Sequence, residues 1–120
     1  MVSRALEAAT RANDAAAERA TMASNVLRIA SDAQAWALKP ADFGGGGKRF
    51  AGLALADLGY APDGDGAYRT RHHGSVQTYR LTVWPDSFAL HATSPTASGD
   101  ARAVVTGLDA ASVRVTPSPW

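Results

Sequence analysis

The sequence predicts an α+β fold: one long N-terminal α-helix packed on an antiparallel β-sheet of about four strands. Three observations predict it. Residues 3–38 contain neither glycine nor proline and are rich in alanine, leucine, arginine and glutamate, the strong helix formers. Residues 40–66 are broken up by glycine, proline and aspartate. Residues 67–117 alternate apolar and polar over short runs separated by turn residues, the pattern of half-buried strands. A chain of 120 residues suits a single domain.

The helix ends at Lys39-Pro40, where proline stops the pattern and a lysine suits the negative end of the helix dipole. At ~1.5 Å per residue it is predicted to be ~50 Å long. A compact domain of this size has a radius of gyration of only about 14 Å, so the helix should overhang its own domain. Its two halves differ. Met22, Val26, Ile29, Ala33 and Trp36 are spaced by four and three, with Leu27, Ala30 and Ala37 widening the stripe and Asn25, Arg28 and Asp32 opposite. This is an amphipathic face for a core, and Val26, Ile29, Ala33 and Trp36 are the expected anchors of helix to head. From Arg4 to Ala20 the apolar residues are nearly all alanine, interrupted by Glu7, Arg11, Asp14, Glu18 and Arg19, with Glu7 and Arg11 placed as an i,i+4 pair. Small side chains at Ala9, Ala12, Ala16 and Ala20 form a face that other helices can approach closely. The competing reading is a solvated helix held by alanine propensity.

The connector carries the run Gly44–Gly47, which serves either flexibility or unusual backbone angles. Phe50, Leu53, Leu55 and Leu58 follow, read as a short strand or helical turn laid on the sheet edge, and Asp63-Gly64-Asp65-Gly66 reads as a turn. In the sheet, Ala67 to Arg71 is a strand. Val76 to Trp84 alternates at Tyr79, Leu81 and Val83, Pro85-Asp86-Ser87 turns, and Phe88, Leu90 and Ala92 return. Arg102 to Thr106 and Ser112 to Thr116 make a final pair. Because much of the apolar content is alanine, the core falls to a few larger residues, among them Leu27, Ile29, Trp36, Phe43, Phe50, Leu55, Phe88, Leu90, Val105 and Val113.

The formal charge of +1 gives no general case for a polyanionic partner, and the absence of cysteine excludes disulfides and thiolate metal sites. No stretch is long and apolar enough to span a bilayer, and no signal-peptide core follows Met1. The helix begins in mid-pattern, which reads as the start of a trimmed chain.

Several motifs were weighed for chemistry. Gly44 to Lys48 lacks the earlier glycine of a phosphate loop, where Asp42 stands, and the Ser or Thr after lysine, where Arg49 stands; a glycine run can still hold an anion through its amides. His72 and His73 point to opposite faces of a strand and His91 lies on another, a poor ligand set. Asp63 and Asp65 resemble the start of a calcium loop without its later ligands. There is no Gly-x-Ser-x-Gly elbow, and Glu7 and Glu18 on the helix are the only glutamates, so no catalytic residues and no enzyme are expected. Residues 66–85 carry Arg69, Arg71 and Arg80 without an acid, beside Tyr68, Tyr79 and Trp84, a candidate DNA contact. The competing reading is a sheet with arginines outward and aromatics packed inward.

The order of long helix, connector and antiparallel sheet, with Ala-Ser-Asn-Val-Leu-Arg-Ile-Ala-Ser-Asp-Ala-Gln-Ala-Trp over 23–36, Lys39-Pro40, Phe43 with Gly44–Gly47, Phe50-Ala51-Gly52-Leu53 and Leu58-Gly59-Tyr60, resembles the type IV pilin and type II secretion pseudopilin superfamily. The processed N-terminus, its nearby glutamate and the hydrophobic helix of that superfamily are not in this sequence. The resemblance implies a structural subunit, pilin or pseudopilin, that polymerises with itself and other pilins. It is expected to be held in the inner membrane before assembly by the missing N-terminal helix, and to end in a cell-surface filament or a periplasmic pseudopilus. It implies no small-molecule substrate and no cofactor, although major pseudopilins can bind calcium in their loops. The alternative expectation is an extracytoplasmic DNA- or ligand-binding module, in which residues 4–20 fold back on the domain and Arg69, Arg71 and Arg80 line one surface.

Overall fold

The computed structural model describes residues 2–117 apart from 73 and 74, with side chains described over 14–71 and 76–117. One unbroken helix, α1 (Val2–Leu38, 37 residues), leads into five strands: β1 (Tyr68–His72), β2 (Ser75–Trp84), β3 (Ser87–Thr93), β4 (Ala101–Val105) and β5 (Val113–Thr116). They form one antiparallel sheet in the order β1-β2-β3-β4-β5. The sheet therefore has five strands rather than about four, because both short edge runs pair. Residues 4–20 do not fold back; α1 runs straight through them.

α1 packs on β3, β4 and β5 through the face expected of it. Met22, Val26, Ile29 and Ala33 are fully buried, as are Ala23, Ala30 and Ala37. The strands answer with their alternating inner residues, Phe88, Leu90 and Ala92 on β3, Ala101, Ala103 and Val105 on β4, and Val113 on β5. Burial of these side chains is the main driving force of the fold. Trp36 is only half-buried at the margin of this core. Phe43 was expected inside, but it stands 72% exposed on a short 3-10 turn (Ala41–Phe43) that carries it off the helix end.

Beside the helix, a second 3-10 turn (Leu55–Leu58) lays Leu55 and Leu58 on the core, and no strand forms in the connector among the described residues. Phe50 meets Phe88 edge to face at 4.8 Å, and Tyr60, Tyr68 and Tyr79 follow in a chain of ring contacts at 5.1 and 5.9 Å. Tyr79 is wholly buried, so its hydroxyl needs partners; it donates to Gln77 Oε1 at 2.7 Å and accepts from Asn25 Nδ2 at 2.8 Å. Asn25 thus lies at the edge of the interface, not on the opposite side of the helix.

The helix ends under the glycine run. The amides of Gly45, Gly46, Gly47 and Lys48 donate to the carbonyls of Pro40, Trp36, Lys39 and Ala37, closing the orphan acceptors of the last turn. They are consumed as a C-terminal cap and are not presented to an anion. Gly46 shows why glycine is required: a Cβ there would lie 2.1 Å from the Arg49 carbonyl oxygen and 2.7 Å from the Trp36 ring. At Gly64 a Cβ would meet nothing within 4 Å. Gly46→Ala should therefore cost about 1–3 kcal/mol in urea denaturation, while Gly64→Ala stays within about 0.5 kcal/mol of the parent.

Gln34 is, among the described residues, the one buried polar residue that α1 sends into the core region, and the periodicity gave no sign of it. Its Nε2 lies 2.9 Å from the carbonyl oxygen of Gly107 and 2.7 Å from that of Asp109, tying the β4–β5 connection to the helix. Gln34→Leu keeps the bulk and strands the Gly107 carbonyl, while that of Asp109 keeps the Ser112 amide and hydroxyl, so it should lower stability by about 1–3 kcal/mol, read from the shift in denaturation midpoint at constant slope.

Candidate functional site

Two surfaces carry the features that the sequence singled out. The first is the N-terminal half of α1. Ala9 and Ala12 lie in the helix, with side chains outside the described residues, as do those of Glu7 and Arg11. Ala16 and Ala20 are both exposed and, four apart, share one face. The earliest described contact of α1 with the rest of the chain is at Ala15, whose carbonyl accepts from Ser98 N at 3.1 Å. Glu18 accepts from Ser94 Oγ at 2.8 Å and from Thr96 Oγ1, and Arg19 Nε donates to the Asp100 carbonyl at 3.0 Å. The β3–β4 loop thus clamps α1 on one side and leaves Ala16 and Ala20 uncovered on another.

The second surface is the side of the sheet away from α1. Strand alternation puts Tyr68 and Tyr79 on the inner side and Arg69, Arg71 and Arg80 on the outer one. The three arginines do share a surface, but two are already engaged. The turn 63–66 closes with Gly66 N donating to Asp63 O at 2.9 Å and Ala67 N to Asp65 Oδ1 at 3.2 Å, which aims both carboxylates at the strand. Arg69 donates to Asp63 Oδ2 at 2.8 Å and, as a fork, to Asp65 Oδ1 and Oδ2 at 2.9 and 2.6 Å. Arg80 adds a contact to Asp65 Oδ2 at 3.1 Å. The acids missing from 66–85 come from the turn just before it. The same pairing turns the calcium-like aspartates toward guanidinium groups, and no cluster of metal-ligating side chains occurs among the described residues.

What the sequence did not suggest is that later strands extend this surface. The cross-strand row Arg80, His91, Arg102, Thr116 spans β2 to β5, and Arg114 lies beside it opposite Val104. Arg71, Arg102 and Arg114 are exposed, and no ion pair engages them among the described residues. His91 Nε2 lies 3.0 Å from Asp100 Oδ2. His73 lies outside the described residues, as does the side chain of His72. Register was the missing signal: it takes the pairing of four strands to bring these residues together.

No family model, no curated protein and no solved structure matches the chain. Among the described residues, no helix is long and apolar enough to cross a membrane. The hollow at the β2–β3 turn, lined by Trp84, Pro85, Asp86 and Ser87, is shallow and open.

The Arg69 guanidinium and the Ala67 amide hold the Asp65 carboxyl well below the usual carboxylate range. A depressed folded-state pKa contributes stability that is complete above the unfolded value near 4 and is lost as pH falls through the folded value. Asp65→Asn should thus melt below the parent at pH 7, and the gap should narrow steadily in acid below about pH 4. Melting curves of both proteins across pH 2–7 test this, and added salt should shrink the gap at pH 7 because the pair is exposed.

Proposed function

We propose that this chain is the head and head-proximal half-helix of a structural subunit, a pilin or pseudopilin, that polymerises into a type IV pilus-like filament. The observation that supports the reading most is the disproportion between rod and head. The molecule measures 64 × 32 × 18 Å with a radius of gyration of 16.4 Å, against about 14 Å for a compact chain of this length. The excess is α1, which is continuous from Val2 and makes its first described contact with the head at Ala15. A protein helix gains most of its stability from packing, and in this reading neighbouring subunits supply that packing.

In this reading, polymerisation is the mechanism. Helices of neighbouring subunits stack through the face of Ala9, Ala12, Ala16 and Ala20, while heads make lateral contacts and carry the exposed surface. Before assembly the subunit sits in the inner membrane through an apolar segment upstream of Met1, and after assembly it belongs to a cell-surface filament or a periplasmic pseudopilus. No residue has a catalytic role.

The coding sequence upstream of Met1 gives the quickest test: a short basic leader followed by about twenty apolar residues is expected, and an upstream stop codon or a polar stretch overturns the reading. A second test uses the lack of native cysteine. Expressed from its complete gene, Ala16→Cys should form subunit-to-subunit cross-links in filaments sheared from cells, while Asp57→Cys in the connector should form few; equal labelling of monomers without cross-links at either site contradicts the stacking face.

A further inference from the structure

The outer side of the sheet carries Arg69, Arg71, Arg80, His91, Arg102 and Arg114, drawn from all five strands, with no acid at any outward strand position. Three aspartates lie at its margin: Asp63 and Asp65 against Arg69 and Arg80, and Asp100 against His91. The whole chain has 12 basic and 11 acidic side chains. On this face bases outnumber acids five to three, so elsewhere acids outnumber bases. The surplus of two basic side chains on this face exceeds the +1 of the whole chain.

Folding does not account for this choice of residues. An outward strand position needs only a polar side chain, and cross-strand neighbours are most stable as opposite charges or β-branched pairs. Threonine at 78, 82, 93 and 116 satisfies that rule. Arg71, Arg102 and Arg114 stand exposed on this face, and no ion pair engages them among the described residues, a surplus of cation that suits an anionic partner.

We propose that this face binds the sugar–phosphate backbone of duplex DNA without reading its sequence. Arginine and threonine are donors suited to phosphate oxygens. The row from Arg80 to Thr116 crosses four strands, ~14 Å at ~4.8 Å per step, which matches the axial rise of about four phosphates along one DNA strand. A duplex is favoured over a single strand because the described residues of this face form no stacking platform of the kind single-strand binders need: Tyr68 and Tyr79 face inward, and among the described residues Trp84 alone, 51% exposed at the β2–β3 turn, is an aromatic at an outward strand position. Arg71, Arg102 and Arg114 are ready to meet phosphates, and Arg80, 56% exposed with a single aspartate contact, can share its guanidinium.

Fluorescence anisotropy with the full chain and a labelled 25-bp duplex of arbitrary sequence tests the proposal. Binding should appear at low salt, with log K falling against log[salt] at a slope of about −3 to −4, as expected for three or four phosphates. Arg102→Ala combined with Arg114→Ala should weaken binding about tenfold and reduce the slope by about 2, with circular dichroism unchanged. Thr82→Arg, which adds a cation between the rows without removing a contact, should tighten binding and steepen the slope by about 1. Lys39→Ala with Lys48→Ala, at the helix end, should change neither quantity. No binding at 25 mM salt, or the same slope in the Arg102/Arg114 variant, overturns the proposal. Tighter binding of a single strand overturns the duplex assignment, and equal competition by polyglutamate of matched charge overturns the nucleic-acid assignment.

Discussion

Alanine on α1 and alanine on the sheet are buried in the same core: Ala23, Ala30, Ala33 and Ala37 from the helix, Ala92, Ala101 and Ala103 from β3 and β4, all at zero exposure. Side chains of one carbon permit helix and strands to approach, and the remaining structure must fill the space around them. Larger groups share the same interface. Met22, Val26 and Ile29 run along one line of the helix, while Phe50, Phe88 and Tyr79 fill the space beside it. The thin core also explains the shape, since the shortest dimension of the molecule is 18 Å, two layers and no more.

A helix held so near the sheet leaves little room for water at the interface, so polar groups there must find partners within the protein. Gln34 reaches the carbonyls of the β4–β5 connection, Asn25 and Gln77 share the Tyr79 hydroxyl, and the glycine run folds its amides onto the last carbonyls of α1. Tyr60, outside this interface, donates to Asp32 at 2.5 Å; burial and that carboxylate together raise its pKa and keep it a donor. Gln34, Asn25 and Asp32 thus join α1 to segments distant in sequence, and together they define how the helix sits along its length.

Periodicity made the architecture legible. The buried stripe Met22–Ala37 and the inward series Phe88, Leu90, Ala92 follow directly from spacings of 3.6 and 2, because burial acts on every turn and every second residue. Local rules served less well at the connector. Phe43 is apolar but belongs to a turn with no neighbouring element above it, and the glycine run reads equally as flexible loop or tight cap until Trp36 and Lys39 are seen beneath it. The candidate surface was least legible. Arg69 and Arg80 look unopposed within 66–85, yet the turn four to six residues before Arg69 supplies Asp63 and Asp65. Arg102 and Arg114 belong to the surface only through register, which no single strand encodes.

The two surfaces lie on different parts of the fold, and their separation has a consequence for affinity. The helix covers one side of the sheet and the arginine row occupies the other. In the proposed filament, association through the alanine face of α1 would leave the arginine face uncovered and repeat it once per subunit. Three or four phosphate contacts would give one head a weak, salt-sensitive hold on DNA. Repetition at fixed spacing would make each further contact intramolecular, and avidity would then rise by orders of magnitude without any new side chain. Arg71, Arg102 and Arg114 of successive heads would then share one polyanion along the filament.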